Sequence, residues 1–68
     1  MLFRDVLRTE MKKKGVTVIE MAEQLDTTRS YVYQLLNGDI KEPTISRALL
    51  ICKALDISID ELARNISN

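Results

Sequence analysis

The chain has 68 residues, 46% of them hydrophobic, with 10 Lys plus Arg against 10 Asp plus Glu and a formal net charge of zero. That length holds one small hydrophobic core, and the composition is that of a folded chain rather than a disordered one. It excludes several chemistries: there is no His, a single Cys (Cys52) and only two glycines, so neither a His- or thiolate-rich metal site nor a glycine-rich phosphate loop can be assembled.

No enzyme activity, metal, cofactor or small-molecule ligand is expected. Cys52 lies among Leu49, Leu50, Ile51, Ala54 and Leu55, the setting of a small buried core residue rather than a nucleophile. A lone cysteine forms no intrachain disulfide, which suits a reducing, cytoplasmic compartment. The opening Met1-Leu2-Phe3-Arg4-Asp5 meets charge at once, so no export leader is expected, and no run reaches membrane-spanning length.

Turn signals divide the chain into five helical pieces. The first is predicted from about Leu2 to Lys14, with Phe3, Leu7 and Met11 on one face and Gly15 as its stop. The second begins at Thr17, where Thr17-Val18-Ile19-Glu20 has the form of a capping box, and runs through Met21, Ala22 and Leu25 to near Asp26. The third starts at Thr27 or Thr28 and ends at Asn37-Gly38, with Val32 and Leu35 inward and Ser30, Tyr33 and Gln34 outward.

A loop, Gly38-Asp39-Ile40-Lys41-Glu42-Pro43, leads to a fourth helix from Thr44 to Leu55, expected to bury Ile45, Ala48, Leu49 and Cys52. Ser58-Ile59-Asp60-Glu61 is a second capping-box pattern and opens the last helix, which includes Leu62 and Ala63. Residues 1–68 therefore read as one all-α domain.

The short connection around Asp26 and Thr27 has the length of a helix-turn-helix corner. Gly15-Val16-Thr17, Glu20-Met21-Ala22-Glu23-Gln24-Leu25, Thr28-Arg29-Ser30, Val32, Leu35, Asn37-Gly38 and Pro43 closely resemble the lambda-repressor-like (Cro/repressor, XRE-type) helix-turn-helix family. The similarity continues through Leu49, Ile51, Lys53-Ala54-Leu55 and Ile57-Ser58-Ile59-Asp60-Glu61-Leu62.

The resemblance implies a compact five-helix fold, major-groove binding to double-stranded DNA as a homodimer, and a part in transcriptional control. It also implies that Arg29, Ser30, Tyr33 and Gln34 face base edges, with Arg29 suited to guanine and Gln34 to adenine. Thr17, Thr28, Tyr31, Asn37, Gly38 and Lys41 would lie near phosphates. Taken without the family, Arg29 and Gln34 fit a solvated helical face, and Thr17 and Thr28 fit simple caps.

Departures from the family pattern carry expectations of their own. Val18 stands where the family commonly has Gln, and Asp39 and Glu42 make acidic a loop that is often basic; each removes attraction for a phosphate, so a monomer should bind weakly. Asp26 and Asp56 replace helix-ending glycines and should adopt the left-handed backbone. Met11 and Leu36 occupy the positions of a common Arg–Glu pair, a change that is often neutral or stabilising.

Ile51, Ile59 and Leu62 are expected in the core, leaving Leu50 and Ile66 as candidates for the dimer contact. Val18 and Ile19 form a second exposed apolar pair. With the neutral charge and acidic loop, that pair keeps open an alternative function: a protein-interaction module such as an antitoxin, anti-repressor or adaptor on the same fold.

Overall fold

The fold, a computed structural model describing residues 1–67, consists of five helices with no strand among those residues. Helix α1 (Phe3–Lys14) carries Asp5 in its first turn and Lys12, Lys13 and Lys14 in its last, charges that oppose the helix dipole at both ends. Gly15 ends it in the left-handed conformation at φ 70°, its amide turned back to Met11 and Lys12 carbonyls. Its inward stripe includes Phe3, Leu7 and Met11 as expected, and also Val6 and Glu10.

Helix α2 (Val18–Gln24) is started by Thr17, and both halves of the capping box are formed. The Thr17 hydroxyl accepts from the Glu20 amide at 3.1 Å, and the Glu20 carboxylate accepts from the Thr17 amide at 3.0 Å. Helix α3 (Arg29–Asn37) opens on Thr28, whose hydroxyl accepts from the Tyr31 amide at 3.2 Å, and closes on Gly38 at φ 85°.

Thr44 caps helix α4 (Ile45–Leu55) through the Arg47 amide at 3.3 Å. Ser58 begins helix α5 (Ile59–Ser67), its hydroxyl accepting from the Glu61 amide at 3.0 Å. The reciprocal half of that second capping box is not formed among the described residues. Asp26 and Asp56 both take positive φ, 52° and 55°, the left-handed turn their positions require.

The core runs through all five helices, with Leu7, Met21, Val32, Leu35, Ile51 and Leu55 sealed from solvent and Cys52 and Leu62 beside them. Helix α3 packs against α1 and α2, while α4 and α5 pack on each other and on α1; α3 makes no close backbone approach to α4 or α5. One long side of the third helix is therefore left open to solvent.

Three expected core residues lie outside: Ile45 is 81% exposed, Leu49 52% and Ile59 44%. The reason is angular. At about 100° per residue, the buried residues Ile51, Cys52 and Leu55 define one inward arc of α4, and Leu49 falls well off it. Ile45 and Ile59 open their helices and project past the neighbours that would cover them. Ala48 is half-buried, and Ile51 and Leu62 are buried as expected.

Candidate nucleic-acid interface

Helices α2 and α3 meet through Leu25 to Thr28. Asp26 turns the chain at φ 52°, and the Thr27 amide donates to the Ala22 carbonyl at 3.0 Å. Burial of Met21, Ala22 and Leu25 from one side and Val32 and Leu35 from the other fixes the angle between the two helices. The outer side of α3 then presents Arg29, Ser30, Tyr33, Gln34 and Asn37, all exposed. Among the described residues, neither Arg29 nor Gln34 has a side-chain hydrogen bond or ion pair.

The structure thus brings the four expected base-facing residues together on one surface. The six residues assigned to phosphates divide into different kinds. Thr28 has its hydroxyl oxygen occupied by the Tyr31 amide, but the hydroxyl proton has no acceptor among the described residues and can still be donated. Thr17 differs: its amide and its hydroxyl both donate to Glu20 Oε1, each at 3.0 Å. These bonds hold the Glu20 carboxyl below its ordinary pKa, first through the Thr17 backbone and then through its hydroxyl.

Asn37 and Lys41 are exposed and Gly38 half-buried at the open end of α3, followed by the exposed Asp39 and Glu42. Tyr31 is half-buried on the flank of the helix, packed against the core. Its ring lies under the Arg47 guanidinium, with Arg47 Cζ 4.3 Å from the ring centroid.

Two residues that local sequence patterns did not single out hold the end of this surface. From α1, Arg8 Nη2 donates to the Leu36 carbonyl at 2.8 Å, and Arg4 Nη1 to the Asn37 carbonyl at 3.4 Å. Both cations sit where the carbonyls of α3 have no helical partner, at the negative end of its dipole. Arg4 also lies against Gly38: a Cβ there would come within 2.8 Å of Arg4 Nη1. The four-residue spacing of Arg4 and Arg8 was visible, but their acceptors are backbone atoms about thirty residues away, which no local pattern of side chains reveals.

The expected dimer residues are not brought together. Ile66 lines a mainly apolar groove of about 290 Å³ with Phe3, Glu42, Pro43, Ile45, Ala48, Ile59, Leu62 and Ala63, whereas Leu50, 38% exposed, does not line it. Of the other apolar pair, Ile19 is 51% exposed, but Val18 is half-buried and packs on the core. Leu36 is half-buried against the same core as the buried Met11.

Burial raises the Cys52 thiol above its ordinary pKa, which disfavours the reactive thiolate. No cluster of metal-ligating side chains occurs among the described residues, and none of the described helices is long and apolar enough to cross a membrane.

Comparison with known proteins agrees with this geometry. The helix-turn-helix family matches residues 7–62, most of the chain. The trifunctional NAD biosynthesis/regulator protein NadR of Salmonella typhimurium is 31% identical over 62 residues, covering 91% of this chain. The chain spans only 15% of the length of that relative. No solved structure matches at a significant level. With α2 and α3 forming its two-helix unit inside an all-α, lambda-repressor-like fold, the chain belongs to the XRE-type helix-turn-helix family of DNA-binding regulatory domains.

Proposed function

We propose that this chain binds double-stranded DNA sequence-specifically as a homodimer, placing α3 in the major groove, and acts as a small cytoplasmic regulator of transcription. The observation that carries the reading is the outer face of α3, where Arg29, Ser30, Tyr33 and Gln34 stand exposed and Arg29 and Gln34 are unpaired. Arg29 is suited to guanine and Gln34 to adenine by their donor and acceptor patterns. Thr28, Tyr31, Asn37, Gly38 and Lys41 flank them for the backbone. Thr17 joins this set only by giving up one of its bonds to Glu20.

Size supports the dimer reading for a two-fold site. Successive half-sites on one face of the duplex lie about 34 Å apart, and the longest extent of the described residues is 28 Å, so each half-site needs its own copy. The apolar groove supports a contact in which Ile45 and Ile59 of each copy enter the other's groove beside Ile66. Such a contact joins a projection and a recess on one patch, as a two-fold interface requires. Leu50, on another side of α4, is at most peripheral to it.

The test is selection of bound duplexes from a random library near physiological salt, with wild type and Arg29→Ala in parallel. The expected result is a pseudo-palindromic motif for the wild type and loss of one guanine preference in the variant. A dimer that enriches no sequence would refute the reading. It would favour an interaction module working through Ile19, which is 51% exposed, and the acidic loop.

A further inference from the structure

We propose that Arg47 is a DNA-backbone contact, held in position for that role by the ring of Tyr31. The inference rests on the DNA-binding reading above and adds to it a residue from outside the helix-turn-helix unit. Its starting point is the stack itself, with the Arg47 guanidinium carbon 4.3 Å from the ring centroid. The stack crosses a gap, since α3 and α4 have no close backbone approach.

Position on α3 supplies the direction. At about 100° per residue, Tyr31 falls between the outward Ser30 and Gln34 on one side and the inward Leu35 and Val32 on the other. An α-helix with side chains is about 10–12 Å across, and the major groove of B-DNA is about 12 Å wide. A helix lying in that groove fills it, so its flanks meet the sugar-phosphate walls rather than the bases. Tyr31 is on such a flank, and Arg47 stands over it.

Chemistry supplies the role. Stacking occupies a face of the guanidinium and leaves its N–H donors, which lie in the plane, directed outward. Those donors have no carboxylate within ion-pair range and no hydrogen-bond acceptor among the described residues; the one bond of Arg47 to Thr44 is made by its backbone amide. Asp39 and Glu42, the nearby loop acids, do not pair with it. A planar, unpaired cation with free donors suits the two oxygens of a phosphate. The ring restricts the long side chain beforehand, so less freedom is lost on binding.

The experiment measures binding against salt concentration by fluorescence anisotropy, on a duplex enriched by the wild-type protein. Wild type, Arg47→Gln, Arg47→Lys, Tyr31→Leu and the Tyr31→Leu, Arg47→Gln double variant are compared, with circular dichroism confirming that each is folded. Loss of one phosphate contact lowers the slope of log K against log salt by about 0.9, so Arg47→Gln should lower it by about 1.8 per dimer. Binding should weaken alike on all enriched sequences, with base preferences unchanged, and Arg47→Lys should retain the slope.

Loss of the stack in Tyr31→Leu should weaken binding about two- to fivefold per subunit, roughly 4- to 25-fold for the dimer, the worth of an exposed cation–π contact in each copy. Tyr31→Leu should therefore have a smaller effect once Arg47 is Gln, where only the DNA-backbone contact of Tyr31 itself remains to be lost. An unchanged slope in Arg47→Gln, with the wild type binding normally, overturns the inference and leaves the DNA reading intact. Equal effects of Tyr31→Leu in both backgrounds overturn the part assigned to the ring. Absence of any enriched duplex for the wild type overturns the DNA reading, and this inference with it.

Discussion

Glu10 is an acidic residue in the wrong place for stability, and replacing it should strengthen the fold. It lies on the inward stripe of α1 at 5% exposure, and its Oε1 has no hydrogen-bond partner. Oε2 is 4.0 Å from Lys13 Nζ, but the Lys13 side chain is 67% exposed. An ion pair that long with one solvated partner contributes only about 0.2–0.5 kcal/mol. A buried polar group without a partner costs about 1–3 kcal/mol. Met has nearly the same helix propensity as Glu and an adaptable, unbranched side chain, so Glu10→Met should keep the helix while removing that penalty.

The net expectation is a gain of about 1–2 kcal/mol. For a domain of this size each kcal/mol moves the midpoint by about 4–8 °C, so the rise should be roughly 5–15 °C. Thermal unfolding followed by far-UV circular dichroism at neutral pH measures it, with Glu10→Gln as a control. Gln removes the charge but keeps two polar atoms, so its gain should be smaller. A lower midpoint for Glu10→Met than for wild type would refute the reasoning and mean that the carboxylate contributes more in place than its burial costs.

Four other expectations can be checked on the same protein. Gly38→Ala should lose roughly 1–2 kcal/mol in urea unfolding, because Ala is strained in the left-handed backbone and its Cβ would press on Arg4; Gly38→Asn should lose less. Glu20 titrates below its unfolded value, so its contribution is fully present above the ordinary carboxylate pKa near 4.3 and is lost as pH falls through the folded value. Midpoints measured down a pH series should therefore fall less steeply for Glu20→Gln than for wild type in that acid range.

Leu36→Glu should cost about 1–2 kcal/mol in chemical unfolding rather than the several expected for a sealed site, since Leu36 is half-buried and Arg8 already lies at its carbonyl. Measured at concentrations where the wild type is dissociated, Ile45→Asp should leave the unfolding free energy within about 0.5 kcal/mol of wild type, because Ile45 is 81% exposed in the single chain. In sedimentation the same variant should be monomeric at concentrations where the wild type forms the proposed dimer; an unaltered dimer would move the contact elsewhere.

What could be read from the sequence was mostly what local chemistry decides. Thr17, Thr28, Thr44 and Ser58 each start a helix by accepting from an amide three residues on, and that need is written within four residues of chain. Asp26 and Asp56 take left-handed turns for equally local reasons. The outward face of α3 follows from its period once Val32 and Leu35 are inside.

Apolar character alone does not decide burial. Ile45 and Ile59 begin helices beyond the reach of the core, and Leu49 lies off the inward arc of α4. Glu10 is the converse case: at about 100° per residue it falls between the buried Phe3 and Val6 on the inward arc of α1, but its charge gives no sign of burial. Arg4, Arg8 and Arg47 were invisible as site residues for a different reason: their partners are two carbonyls and a ring face brought from distant parts of the chain.

The arginine contacts at the end of α3 bear on how ready its surface is for a partner. At nine residues, α3 is shorter than the roughly 12–15 needed for a helix to persist alone in water. Here its first turn is completed by Thr28 and its last carbonyls by Arg8 and Arg4, so neither end is left to fray. Its exposed side chains thus project from a helix whose two ends are both tied down. A partner that docks on them finds the backbone prearranged, and most of the ordering entropy of that segment has been lost during folding rather than at the moment of association.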